Sequence, residues 1–131
     1  MKIKTDILKS LERLAHRSKD RERCGVLWYE AGDCVRQYTL YPGPTGESRF
    51  EFSDDWWLQQ LYQARARGLR FAGLFHSHPA RCSTFPSLLD RQGHSFCRTL
   101  ILSAGEEPSR CFALGPPGSV PLQEPLLLME G

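Results

Sequence analysis

Two histidines one residue apart, His76 and His78, close an apolar run over residues 69–75 that reads as a buried strand. Residues two apart on an extended chain point to the same side, so both imidazoles can reach one ion. Zinc takes imidazole nitrogen at about 2.0–2.1 Å, and a catalytic zinc site typically has three protein ligands and leaves a fourth position for water. Asp90 is the candidate third ligand, because Ser87-Leu88-Leu89-Asp90 opens a helix and places Ser87 and Asp90 one turn apart. Zinc held there would lower the pKa of a water to near 7 and polarise a carbonyl, giving amide hydrolysis its nucleophile and its electrophile together. A proton acceptor that is not itself a ligand is also required. Glu22 directly precedes a strand candidate at residues 24–29, and meets that need if this strand lies beside the one ending at His76.

Each of these residues has a plainer explanation. Ser87-x-x-Asp90 is also a helix-capping arrangement that needs no metal. Glu22 reads equally well as a solvated charge in the run 17–23. His16 and His94 are read as ordinary surface or core histidines. The paired histidines shift the balance, since two aligned imidazoles at a strand terminus have little structural purpose.

The elements that must position these groups follow from periodicity. Ile7, Leu8, Leu11, Leu14 and Ala15 recur at helical spacing, which predicts a helix over residues 5–16 with Thr5 as its N-cap. Residues 24–29 and 34–41 form a predicted hairpin across Glu30, Ala31, Gly32 and Asp33. Residues 42–48 are a Pro- and Gly-rich loop, and Phe50 and Phe52 approach the next element. Ser53 caps a second helix in which Trp57, Leu58, Leu61, Tyr62 and Ala66 trace an apolar stripe, with Gly68 ending it. After the strand at 69–75 and the helical start near Ser87, two more strands are predicted at 98–102 and 110–114 around a turn at 105–109. The pattern is an α/β or α+β mixed sheet flanked by helices in one domain over residues 1–131, without internal repeats. Residues 115–131 hold four of the nine prolines and are expected to be a loosely docked extension.

Composition narrows the class of function. A net charge of +2 gives no electrostatic case for nucleic acid. No apolar run approaches the roughly 18–20 residues that span a bilayer, and the N-terminus lacks the pattern of a secretory signal. A cytoplasmic location is the resulting expectation. Cysteines at 24, 34, 82, 97 and 111 show neither C-x-x-C nor regular spacing, so they are expected to be free thiols packed as small apolar groups. Cys82 lies between the two halves of the metal motif and could close the site as a fourth ligand; it is read as a loop residue.

Taken together, Glu22-Arg23-Cys24-Gly25-Val26-Leu27, His76-Ser77-His78-Pro79 and Pro86-Ser87-Leu88-Leu89-Asp90 resemble the JAMM (Mov34/MPN/PAD-1) metallopeptidase family, in type and in order. The likeness extends from the first helix to about Leu114. It implies a single MPN/JAB-like domain of cytidine-deaminase-like architecture, similar to the compact stand-alone bacterial branch. It implies one Zn2+ per chain on His76, His78 and Asp90, Glu22 as general acid/base, and Ser87 positioning the water and stabilising the oxyanion. The stretch from Ala80 to Pro86 is one residue longer than the family pattern. The implied reaction is hydrolysis of a peptide or isopeptide bond after the C-terminal glycine of a ubiquitin-like protein. The implied alternatives are processing of a sulfur-carrier protein in cysteine or thio-metabolite synthesis, and a non-catalytic MPN scaffold. A purely structural zinc site would favour four closed ligands. A nucleobase deaminase would need the H-x-E and P-C-x-x-C pair, which is absent.

Overall fold

The computed structural model describes residues 1–18, 21–43, 52–79, 84–86, 97–116 and 118–130. Its chain begins with a short strand, β1 (Lys2–Lys4), that runs straight into α1 (Thr5–Arg17). This changes the expected cap: Lys4, extended and without a side-chain bond, is the N-cap. Thr5 is the first helical residue, and its hydroxyl donates to Glu130 instead. Because the strand delivers the chain directly into the helix, the hydroxyl is left available to hold the C-terminal tail.

A hairpin of β2 (Cys24–Glu30) and β3 (Cys34–Leu40) follows, then α2 (Asp54–Ala66), β4 (Leu69–His78), β5 (Arg98–Ser103), β6 (Arg110–Ala113), β7 (Leu122–Glu124) and β8 (Leu127–Met129). Ser53 caps α2 as expected, accepting from the Trp56 N–H, with Asp54 and Asp55 at the positive end of the helix. Gly68, at φ +72°, supplies the left-handed turn that leads into β4.

The strands form one mixed sheet in the order β7-β6-β5-β4-β2-β3-β1-β8. β4 is flanked by β2, antiparallel, and β5, parallel. Within the stretch 115–131, expected as a loosely docked extension, residues 122–124 and 127–129 pair with both ends of this sheet, β7 on β6 and β8 on β1. Only Pro125 and Leu126 separate β7 from β8, so the sheet curls until its two rims approach each other. The tail also bonds to the chain start: the Met1 amino group donates to the Pro125 carbonyl at 2.6 Å and meets Glu124 at 3.7 Å.

The two faces of the sheet are covered by different helices. Alternation puts Leu27, Val35, Phe75, Leu100 and Leu102 on one face, where they pack with Leu8, Leu11 and Ala15 of α1. Fully burying a side chain such as Leu11 or Phe75 contributes about 1.5–3 kcal/mol. On the other face Val26, Trp28 and Leu74 pack with Ala64, Trp56 and Trp57 of α2. The apolar stripe expected on α2 therefore divides. Trp57 turns inward, whereas Leu58, Leu61 and Tyr62 are exposed, because the neighbouring Trp56 supplies a larger inward-facing surface.

Gly25 makes the centre of this arrangement possible. A Cβ there would collide with the carbonyl oxygen of Thr39 on β3 and lie 2.7 Å from the Phe75 ring on β4, so only glycine lets three strands close at this point.

Candidate metal centre

β4 runs three residues further than the apolar run suggests. His76, Ser77 and His78 belong to the strand itself and pair with Ile101, Leu102 and Ser103 of β5. The expectation that the histidines follow the strand is corrected, and the reason is burial: His76 is 0% exposed, so the ladder continues through polar residues that water does not reach. Alternation places both imidazoles on the α2 side, in line with Leu74.

The two rings converge. Their Nε2 atoms are 3.0 Å apart. Two nitrogens on one tetrahedral zinc, each at about 2.0–2.1 Å, stand about 3.3 Å from one another. The observed separation is close to that spacing, and it is also the length of an N–H···N hydrogen bond between the two rings. The tautomer that frees Nε2 of His76 carries its hydrogen on Nδ1, where Thr99 Oγ1 is 3.4 Å away as the acceptor. Thr99 is fully buried on β5 and is placed to orient the ring.

The β2–β4 ladder brings the backbone of Glu22 toward the same end of β4. Cys24 pairs with His76, and the ladder extends one rung beyond β2: Ser77 N donates to Arg23 O at 2.8 Å, while Arg23 N donates to Ser77 Oγ at 2.8 Å. The next residue, Glu22, is thereby brought beside the end of β4 at His78. It is buried, and so is not a solvated charge of the 17–23 run. Its nearness is felt by Cys24, whose thiol is pushed up to about 12 by burial first and by the Glu22 carboxylate second. Cys24 thus remains a neutral thiol at neutral pH and is not a ready ligand. Burial also raises Cys97 and Cys111 to about 11. Among the described residues, Cys24, Cys34 and Cys111 are free thiols.

Among the described residues no third metal-ligating side chain joins the two histidines. Asp90 and Ser87, expected as ligand and catalytic group, lie outside the described residues, as do Cys82 and His94. The chain leading to them is fixed just before it reaches them. Thr84, fully buried, donates its N–H (2.9 Å) and its hydroxyl (3.2 Å) to Glu107, and the hydroxyl is also 2.9 Å from the Pro108 carbonyl. Phe85 packs edge-on onto Phe112, which clusters with Ile101 on the sheet face that carries His76. These bonds hold Glu107 below the usual carboxylate range, the backbone N–H of Thr84 being the largest cause.

Three contributors were not assigned roles from the sequence: Ser77, Thr99 and the Thr84–Glu107 pair. Ser77 carried a partial signal, since a serine between two same-side histidines must face the other way, although its partner Arg23 is 54 residues distant. Thr99 acts across the β4–β5 pairing and Glu107 across a contact between two loops, neither of which local spacing reveals.

Comparison with known proteins places this geometry. The family described as prokaryotic homologs of the JAB domain matches residues 4–114. A protein from Desulfitobacterium hafniense, solved in solution, is similar at 24% identity and a TM-score of 0.76, covering 99% of this chain and 93% of that one. A JAB1/MPN domain protein from Archaeoglobus fulgidus is similar at 19% identity and a TM-score of 0.66, with 99% and 100% covered. A third structure, described as JAMM, a metalloprotease-like zinc site in the proteasome and signalosome, aligns at 19% identity and a TM-score of 0.64, covering 99% and 98%. No curated protein matches the chain. No helix among the described residues is long and apolar enough to cross a membrane. With a family match across residues 4–114, the same mixed α+β fold in its structural neighbours, and paired histidines on the central strand, this chain belongs to the prokaryotic homologs of the JAB domain.

Proposed function

We propose that this protein is a zinc metallopeptidase that cleaves a peptide or isopeptide bond after the C-terminal glycine of a ubiquitin-like protein. One observation carries the reading: the Nε2 atoms of His76 and His78 converge to 3.0 Å on a strand end beside which the ladder brings buried Glu22. The donor chemistry fits zinc, with His76 and His78 as imidazole ligands and Asp90 as the proposed third. Zinc held there supplies Lewis acidity toward the scissile carbonyl and makes water acidic enough to ionise near neutral pH.

The remaining work falls to the chain. Glu22 takes the proton of the attacking water as the carbonyl carbon is attacked, then delivers it to the departing amine as the C–N bond breaks. The acceptor must not itself be a metal ligand, and that role is assigned to Glu22, which precedes β2 while the histidines stand on β4. Thr99 keeps His76 oriented. Ser77 locks the Arg23 backbone and thereby the approach of Glu22. Ser87 is assigned to the developing oxyanion by family resemblance.

The test is incubation of the protein with ubiquitin-like and sulfur-carrier fusions extended beyond their terminal glycine, with and without chelator, followed by mass measurement. A chelator-sensitive cut after the glycine of the ubiquitin-like fusions is expected. Cutting of the sulfur-carrier fusions alone would reassign the substrate, and no cut in any would favour a scaffold.

A further inference from the structure

α2 is apolar on two sides. Its inner side, with Trp56, Trp57 and Ala64, packs on the sheet. Its outer side presents Leu58 at 52%, Leu61 at 36% and Tyr62 at 73% exposure. A surface helix ordinarily keeps one apolar stripe and makes the opposite side polar, and a second stripe signals a second surface to be covered. Asp54, Leu58, Leu61, Tyr62 and Arg65 recur at spacings of three and four, so they form one continuous face.

The order of residues on that face is symmetric. Residues 54 and 65, and residues 58 and 61, share a midpoint between positions 59 and 60. If a second identical helix is laid antiparallel across that midpoint, Leu58 meets Leu61 of the second copy and Asp54 meets its Arg65, twice over. Asp55 adds a second acid at the N-terminal end, and Arg67 a second base just past the C-terminal end. The helix dipoles then also oppose, with the acid-bearing positive end of each beside the base-bearing negative end of the other. A patch made for an unrelated partner has no reason to carry this two-fold relation, whereas an isologous contact requires it.

We infer that the outer face of α2 is a self-association surface on which a second copy of this chain packs antiparallel, Leu58, Leu61 and Tyr62 in the centre and Asp54–Arg65 pairs at both ends. The inference is independent of the catalytic reading. A 13-residue helix offers a face about 20 Å long and about 10 Å wide. That is well below the roughly 800 Å2 per partner of a standard interface, so the dimer is weak and transient.

Sedimentation equilibrium of the full chain from about 10 µM to 1 mM tests this. The expected result is a monomer–dimer equilibrium that Leu58→Glu combined with Tyr62→Glu abolishes, with circular dichroism unchanged. Asp54→Lys alone and Arg65→Glu alone should each weaken it about tenfold, since each reverses two end pairs from attraction to repulsion. An equimolar mixture of those two variants should recover dimer to within about threefold of wild type, because the reversed charges again face opposite partners. A monomer at every concentration, a dimer indifferent to the charge reversals, or a mixture no tighter than its components would overturn the inference. So would a monomer whose α2 amide resonances move only when a ubiquitin-like protein is added, which would give the face to that partner.

Discussion

Replacing Ser77 by alanine removes one oxygen from the rung that joins the start of β2 to the end of β4. Ser77 is 2% exposed, and its Oγ accepts from the Arg23 N–H at 2.8 Å. Alanine fits the strand and creates no clash, so the effect isolates this bond. The Arg23 N–H is left without its acceptor in a place that water reaches poorly. A buried donor stranded in this way costs about 1–3 kcal/mol. Because the other bond of the rung, Ser77 N–H to Arg23 O, is untouched, the lower half of that range applies, about 1.5 kcal/mol. With an unfolding entropy of about 2.1 cal/mol/K per residue, a chain of this length should lose about 5 °C in Tm. Thermal unfolding followed by circular dichroism checks this. Ser119→Ala provides the comparison: its hydroxyl donates to Pro116 at an exposed turn, so it should change stability by less than about 0.5 kcal/mol. Because the rung also sets the approach of Glu22, peptidase turnover in Ser77→Ala should fall while zinc content holds. A Tm within 1 °C of wild type would refute the claim that this side chain carries the splice.

Gly25→Ala forces a Cβ against the Thr39 carbonyl and the Phe75 ring, and should destabilise by about 4 kcal/mol or more; a folded variant with near wild-type denaturant midpoint would contradict the three-strand packing. Glu22→Gln should retain zinc and lose activity by about 10² or more, whereas undiminished turnover would reassign the base. Glu107→Ala removes the acceptor of the Thr84 N–H and the longer of the two acceptors of its hydroxyl, which keeps the Pro108 carbonyl. Glu107 is held below its ordinary range when folded, so its contribution is present above that range and is lost as pH falls through the folded-state value. Wild type and Glu107→Ala should therefore differ most in Tm at neutral pH, with the gap narrowing as pH falls below the ordinary carboxylate range; a gap that widens toward acid would have the wrong sign.

The legible parts of this molecule are those governed by near-neighbour spacing. Ser53 announced the start of α2, Gly68 its end, and the period of two put His76 and His78 on one side of a strand. The strand's true end was hidden because hydrophobicity stops at Phe75 while burial does not. β1, β7 and β8 are three residues each and take their pairing from distant chain, so no local pattern marks them. On α2 the stripe itself was readable, but its direction was not. Adjacent Trp56 and Trp57 both turn to the inner face, and periodicity does not say that they displace Leu58, Leu61 and Tyr62 from it. Glu22 was equally a surface charge until the Arg23–Ser77 rung fixed its place, a relation that spans 54 residues of sequence. Ser87 and Asp90 lie outside the described residues, and their roles remain those implied by resemblance.

The central claim is that His76 and His78 hold one zinc ion between converging nitrogens. Metal content after saturation with zinc and exhaustive dialysis tests it most directly. The account predicts about one zinc per chain in wild type and none retained in His76→Ala or in His78→Ala, both still folded. A zinc-free wild type, or full zinc retention in both variants, would contradict it.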